Sequence, residues 1–173
     1  MRIAFTGAHR VGKTSLAEAI ATQLPGYQLI QEPYRQLEEQ GYLFLETPTI
    51  DDFIAQFNLA VEQTEDAEEK VIFDRCPLDL LAYIHAINKS RNITSLYADM
   101  TNVLTQIDLL VFVPVEDPDL IPCEESDLPR LRLQVNDIVE EWLADVNIKT
   151  IAVNGDLANR QRQVLEALHQ SEQ

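Results

Sequence analysis

The chain has 173 residues and a formal net charge of −16, from 29 acidic residues against 13 basic ones. That length suits a single domain, which we expect to span residues 1–173. The acidic surface argues against nucleic acid as a partner, and the lack of a leader or an apolar run of roughly 18 residues argues against a membrane, so we expect a cytoplasmic protein.

Five short apolar runs are predicted to form strands, at residues 2–6, 27–31, 71–74, 107–113 and 148–153. Their apolarity is continuous rather than alternating, which is typical of strands that are covered on both faces. Helical patterns lie between them. The sequence therefore predicts an α/β fold of three layers, α/β/α, with a five-stranded parallel sheet and right-handed crossovers.

Apolar residues at spacings of three and four predict the helices, within residues 16–24, 53–61, 80–87, 96–104, 131–142 and 164–168. The first of these helices is expected to end at Pro25. Thr49 and Asp52 are spaced as a capping pair at the start of the second, and Asp156 is placed to cap the last. Residues 114–129 are rich in proline and acids and have no helical period, and a loop of this length is usually functional or mobile.

A phosphate-binding motif joins the first predicted strand to the first helix. Its spacing, GxxxxGK[ST], is filled by Gly7, Ala8, His9, Arg10, Val11, Gly12, Lys13 and Thr14. Gly7 and Gly12 let backbone N–H groups point at anionic oxygens, and the helix from Ser15 adds the positive end of its dipole. Lys13 is expected to reach the β and γ phosphates, and Thr14 to bind Mg²⁺. The alternative, a chance glycine-rich turn, fits the flanking strand and helix less well.

Two acidic residues lie at the carboxyl ends of predicted strands, and ligands of parallel sheets bind at these ends. Asp74 ends the third strand and is expected to hold the magnesium shell, while Arg75 beside it is expected to neutralise the transferred phosphoryl group. Glu32 ends the second strand and is placed to accept the proton of an attacking hydroxyl. For Asp74 the alternative is an acid at the end of a strand that forms a surface ion pair with its neighbour. For Glu32 the alternative is a surface acid at the start of a loop.

With these motifs in order, the chain resembles the nucleoside and nucleotide kinase branch of the phosphate-loop proteins. This branch includes the deoxynucleoside kinases, the thymidylate kinases and relatives similar to nicotinamide riboside kinases. Gln31-Glu32-Pro33 resembles the strand ending at which the family's Glu activates the acceptor hydroxyl, and Gln56 the helix position whose amide reads an acceptor base. Residues 74–79 resemble the family's acid-Arg-Ser-x-x-Asp element, with Cys76 in place of Ser.

The resemblance also assigns roles to the second half of the chain. Arg130 and Arg132 lie where the family carries a lid with phosphate-clamping arginines, which makes residues 114–132 a lid segment; a solvated helix start is the alternative. Gly155 and Asp156 follow the last strand, where these kinases pack the adenine, and Arg160 is expected to stack on the ring. A plain helix cap is the alternative for Gly155 and Asp156.

An acceptor pocket is expected near Glu32 and Arg75. Its further residues are aromatic, cationic or amide side chains, namely Tyr34, Arg35, Phe53, Gln56, Phe57 and Tyr83. For each aromatic residue alone, packing in the core is the alternative.

These features predict an Mg²⁺-dependent kinase that transfers the γ-phosphate of ATP to a nucleoside-like hydroxyl. ATP and Mg²⁺ are the expected cofactors, a small nucleoside-like acceptor is the expected partner, and a homodimer is left open. The alternatives are a nucleoside monophosphate kinase and a regulatory ATP-binding or ATPase module without an acceptor. A monophosphate acceptor would require more arginines than Arg35 and Arg75.

Overall fold

The computed structural model describes residues 1–171, in which a parallel sheet lies between two layers of helices. The elements are β1 (Arg2–Thr6), α1 (Lys13–Gln23), β2 (Gln28–Ile30), α2 (Pro33–Glu39), α3 (Ile50–Asp66), β3 (Val71–Phe73), α4 (Pro77–Ile87), α5 (Thr94–Leu104), β4 (Leu109–Phe112), α6 (Pro129–Leu143), β5 (Thr150–Ala152) and α7 (Leu157–Ser171). The predicted three-layer fold is confirmed. The last two residues of the expected 1–173 domain lie outside the described part of the chain.

The central strand of the sheet is β1. Across residues 1–171 the strand order is β2-β3-β1-β4-β5, with every neighbouring pair parallel. Ile3 of β1 is opposite Ile72 on one side and Leu109 on the other, and it packs in the cluster that includes α1 and α7. Ala4 faces the opposite cluster, with α3, α4 and α6. Because both faces are covered, the strands carry continuous apolar runs.

The strand order places the carboxyl ends of three strands side by side. The loop after β1 begins at Gly7, Asp74 follows β3, and Glu32 follows β2. In an open parallel sheet, ligands bind in the crevice outside these ends, where the strand order reverses. The fold therefore brings the sequence-predicted phosphate loop, magnesium acid and general base to one edge. Within residues 1–171, every helix is too short or too polar to pass through a bilayer.

Local capping explains where two helices begin. Thr49 and Asp52 form the expected capping box of α3, with the Thr49 N–H donating to Asp52 Oδ2 over 2.8 Å. Asp156 Oδ1 accepts from the Asn159 N–H over 2.8 Å at the start of α7, as expected. Helix α2 was not predicted, because its seven residues, which begin at Pro33, carry no apolar stripe.

Candidate functional site

The phosphate loop has the backbone geometry that its glycines predict. Gly7 has a φ of +142°, and a Cβ there would collide with the carbonyl oxygen of Val113. Gly12 has a φ of +89° and caps the N-terminus of α1, where an L side chain would be strained. Lys13 is buried and its ammonium donates to the carbonyl of Ala8. Burial, and then the charge of Arg75, lowers the pKa of Lys13 to about 8.

Asp74 is a buried carboxylate with unused capacity for a ligand. Its side chain is 4% exposed, and its Oδ1 has no hydrogen-bond partner among residues 1–171. The Thr14 hydroxyl donates to this carboxylate. Burial raises the pKa of Asp74 to about 6; the bond from Thr14 lowers it, and the nearby charge of Glu32 raises it. A carboxylate oxygen without a partner beside a hydroxyl is a donor set that suits Mg²⁺.

Arg75, just before α4, is held by Asp79, a buried acid in the first turn of that helix. Its Nε lies 2.9 Å from Asp79 Oδ2, and both side chains are less than 9% exposed. Asp79 also accepts from the Thr6 hydroxyl over 3.2 Å and from the Cys76 N–H over 3.4 Å. Burial, the largest single cause, lowers the pKa of Arg75, but the nearby groups, led by Asp79, together outweigh it and the pKa is raised. Arg75 is therefore permanently charged, and Asp79 fixes the orientation of its guanidinium.

Beside Arg75 lies a cavity of about 370 Å³, a volume typical of small-molecule sites. The sequence-predicted residues Glu32, Tyr34, Phe53, Gln56, Arg75 and Tyr83 line it. The rings of Phe53 and Tyr83 stack at 4.5 Å with an angle of 6° between their planes. The Gln56 amide nitrogen donates to the carbonyl of Asp52 over 3.2 Å, which fixes its orientation.

Two predicted acceptor contacts lie outside the cavity. Arg35 does not line it; its Nε lies 3.7 Å from Glu32 Oε1, on the exposed side of α2, because the two residues are one helical turn apart. Phe57 is 1% exposed and packs in the core. Phe57 thus follows the alternative of packing in the core, and an acceptor contact of Arg35 stays a prediction. Sequence reasoning also missed two cavity-lining segments, residues 44–48 and 126–128, which carry no motif.

The lid segment packs against the phosphate loop. The Arg132 guanidinium donates to the carbonyls of His9 and Arg10 over 3.0 and 2.9 Å. It also pairs with Asp119, whose pKa it lowers through hydrogen bonds. Arg10 in turn lies 2.8 Å from Asp127 Oδ2. The predicted phosphate clamp by Arg132 thus stays a prediction, which requires its guanidinium to leave these partners.

The predicted adenine side has a second loop-binding arginine. Arg160 is 5% exposed and donates to the carbonyl of Val11 over 2.5 Å and to Glu116 Oε1 over 2.6 Å. Glu116 also accepts from the Gly155 N–H over 3.0 Å. The expectation that Arg160 stacks on the adenine ring stays a prediction, which requires its guanidinium to leave the Val11 carbonyl and Glu116. The sequence does indicate that Arg160 is buried, because it lies four residues before Val164, on the same face of α7.

Arg130 and Arg132 differ enough in their surroundings for a paired test. Arg132→Ala leaves loop carbonyls and Asp119 without their donor, so we expect the free energy of unfolding to fall by about 2 kcal/mol. Arg130 is exposed, and Arg130→Ala is expected to change that free energy by less than about 0.5 kcal/mol. Urea unfolding at pH 7 measures both. Equal effects of the two variants would contradict the assigned contacts.

Comparisons with known proteins agree with the fold and the phosphate-binding motif. A family model described as "AAA domain" matches residues 2–160. No curated protein sequence matches the chain. Solved structures give fold-level likenesses at low identity, and the deoxyadenosine kinase from M. mycoides with products dCMP and a flexible dCDP bound is one. It is 18% identical, with a TM-score of 0.69, over 98% of this chain and 99% of that chain.

Two further solved structures widen the range of these likenesses. Thymidylate kinase from Ehrlichia chaffeensis is 13% identical, with a TM-score of 0.72, over 97% of this chain and 98% of that chain. Shikimate kinase from Aquifex aeolicus is 14% identical, with a TM-score of 0.62, over 99% of this chain and 98% of that chain. At these identities the likeness establishes a shared fold, and the acceptor has to be argued from the cavity.

Proposed function

This chain belongs to the AAA domain family, and from that premise we propose that it is an Mg²⁺-dependent kinase that moves the γ-phosphate of ATP to a hydroxyl of a nucleoside-like acceptor. One observation carries the proposal. An acceptor-sized cavity opens beside the phosphate loop, and Glu32 and Arg75 both line it. A nucleotide switch or a plain ATPase has no use for a second cavity with a carboxylate and an arginine at its border.

The nucleotide half of the reaction rests on the loop. Its backbone N–H groups and Lys13 hold the β and γ phosphates, at the positive end of α1. Thr14 and Asp74 would hold Mg²⁺, which would neutralise charge on the phosphate oxygens. The low pKa of Lys13 in the free protein reflects the cost of burying a cation, and an anionic phosphate removes that cost.

The acceptor half rests on two residues with different tasks. Glu32 lies at the N-cap of α2, at the end of β2, and takes the proton of the attacking hydroxyl. Arg75, fixed by Asp79, neutralises charge on the phosphoryl group as it transfers. Phe53 and Tyr83 offer stacked rings to a flat acceptor base, and Gln56 offers its amide.

The charges around the cavity favour an uncharged acceptor. Glu32, Glu46, Asp52 and Asp127 line it, and among the described lining residues Arg75 is the one permanent cation. A monophosphate group would meet these carboxylates with little compensation. A monophosphate kinase is therefore the second candidate, supported by the likeness to thymidylate kinase and opposed by this charge balance.

Acceptor-dependent release of ADP tests the proposal. Purified protein with ATP and Mg²⁺ is offered nucleosides, the matching 5′-monophosphates, and non-nucleoside alcohols including shikimate. We expect ADP release to rise with a nucleoside, together with an equal amount of phosphorylated product, and not with its monophosphate. A preference for the monophosphate supports the second candidate. ADP release at one rate with every compound contradicts the kinase and leaves an ATPase module.

Asp74→Asn is expected to stabilise the ligand-free protein. Because the pKa of Asp74 is about 6 in the folded chain, above its ordinary value near 4, the folded state binds a proton more tightly. The free energy of unfolding therefore falls as pH rises from about 4 to 6 and stays lowered above that range. Asn removes this cost, which is about 3 kcal/mol at pH 7. Urea unfolding at pH 4 and pH 7 checks that the gain appears only at the higher pH.

The same variant separates metal binding from nucleotide binding. We expect Asp74→Asn to reduce Mg²⁺-dependent turnover far more than it reduces affinity for ATP measured in EDTA, because the amide is a poor ligand for a hard cation. Equal losses of turnover and of metal-free affinity would assign Asp74 a structural role instead.

A further inference from the structure

The phosphate loop, the acceptor cavity and the lid segment meet at one side chain, that of His9. Its backbone N–H donates to the Tyr83 hydroxyl oxygen over 2.7 Å, and its ring Nδ1 lies 2.6 Å from the same oxygen. Its ring Nε2 lies 2.5 Å from the carbonyl oxygen of Asp127. These contacts join residues 74 and 118 positions apart in the chain.

The direction of each hydrogen bond follows from its partners. The carbonyl of Asp127 only accepts, so Nε2 carries the ring proton. Nδ1 then accepts from the Tyr83 hydroxyl, whose oxygen accepts the backbone N–H of His9. Burial lowers the pKa of His9 to about 4, the bond to Asp127 opposes this, and the charge of Arg75 adds to it, so the ring is neutral at pH 7. One tautomer satisfies every group.

Both partners of His9 belong to functional segments. Tyr83 lies on α4, with its ring stacked on Phe53 and 5.4 Å from the Arg75 guanidinium, so it forms part of the cavity lining. Asp127 lies in a short 3-10 turn at the end of the lid segment, and its carboxylate pairs with Arg10. A displacement of Tyr83 by an acceptor therefore changes the orientation of His9 and its bond to the lid.

We propose that His9 is a positioning residue that couples the acceptor cavity to the lid segment, through Tyr83 on one side and Asp127 on the other. A flat acceptor that stacks on the Phe53–Tyr83 pair fixes the position of the Tyr83 hydroxyl. The hydroxyl in turn fixes the orientation of the His9 ring, and the ring holds the turn at Asp127 against the phosphate loop. Occupied acceptor and closed lid then favour each other. The part played by an acceptor rests on the proposed function, whereas the contact chain itself does not.

Tyr83→Phe removes one hydroxyl from the centre of this chain and keeps the stacked ring. We expect amide hydrogen exchange of residues 117–128 to rise by about 3- to 10-fold, the effect of losing one hydrogen bond. ¹⁵N NMR should show that the His9 ring no longer holds a single tautomer. The control is Tyr97→Phe, whose ring packs on Trp142 and does not line the cavity. Unchanged exchange and an unchanged tautomer in Tyr83→Phe would overturn the coupling.

Substitutions at His9 give a second test that does not depend on how Tyr83→Phe folds. His9→Gln places an amide N–H near the position of the ring Nε2, where it can donate to the carbonyl of Asp127, whereas His9→Ala places no donor there. We expect His9→Ala to raise exchange of residues 117–128 and His9→Gln to restore at least half of the protection. Equal exchange in the two variants would overturn the proposal, since a restored donor to Asp127 would then make no difference to the lid segment.

A third measurement connects the contact chain to ligands. With a non-hydrolysable ATP analogue and Mg²⁺, protection of residues 117–128 should increase in the wild type and increase less in Tyr83→Phe. Once phosphotransfer has identified an acceptor, the same variant should raise the acceptor KM more than it lowers kcat. Absence of phosphotransfer with every compound would contradict the proposed kinase and leave the exchange results standing, so the two failures are distinguishable.

Discussion

Replacing Glu32 with glutamine is expected to lower the turnover of phosphotransfer by about 100- to 10,000-fold while ATP affinity stays nearly unchanged. The amide keeps the shape and the hydrogen-bonding reach of the carboxylate but is far less basic, so only the step in which the acceptor proton moves is affected. Single-turnover measurements with saturating ATP and acceptor give the rate, and titration with an ATP analogue gives the affinity.

Glu39→Gln is the matched control for this substitution. It lies on the same helix, makes the same change in charge, and does not line the acceptor cavity. Its turnover should equal that of the wild type. Full phosphotransfer by Glu32→Gln would place the base elsewhere, whereas a loss of ATP affinity in that variant would assign Glu32 to nucleotide binding.

Lys13→Ala is expected to abolish the stabilisation of the protein by ATP and to lower turnover by at least about 100-fold. The motif fixes Lys13 beside the phosphates, and alanine leaves their charge unpaired. Burial lowers the pKa of Lys13 to about 8, so the amine is still charged at pH 7, but carrying that charge costs free energy in the folded protein relative to the unfolded chain. The ligand-free variant should therefore unfold at a temperature no lower than the wild type.

Thermal unfolding with and without Mg²⁺ and ATP measures this effect. Lys89→Ala, at an exposed position after α4, is the control and should keep the full ATP-dependent shift. Lys13→Ala with an unchanged ATP-dependent shift would contradict the phosphate-loop assignment. A ligand-free variant that unfolds well below the wild type would mean that the buried ammonium contributes to the fold through its bond to the Ala8 carbonyl.

Local features of the sequence predict much of this structure. The phosphate loop follows from eight consecutive residues, and the capping box at Thr49 from a spacing of three. The five strands follow from apolar runs, although the observed strands are shorter, as with Leu109–Phe112 against the predicted 107–113. In each case the physical cause lies within one element or one turn, so the composition and spacing of nearby residues are enough to predict the feature.

Contacts between distant segments were beyond the reach of the sequence. The bond of His9 to Asp127 and that of Arg160 to Val11 each depend on the packing of α6 or α7 against the loop. The helical phase of Arg160 marks it as buried, but no periodicity or motif identifies the partner of either residue, because that depends on how several helices cross the sheet. The displaced position of Arg35 has the same origin, since it follows from helix α2, which has no apolar stripe.

The two arginines on the carbonyl side of the phosphate loop also bear on how the protein is made. Residues 7–14 are synthesised more than 100 residues before the guanidinium groups that bind their carbonyls, which lie at Arg132 and Arg160. A nascent chain that ends before α7 holds the complete phosphate-binding motif without the side chain that orients Val11. The loop therefore reaches the geometry described above only after the helices that contain those arginines have been synthesised and have docked.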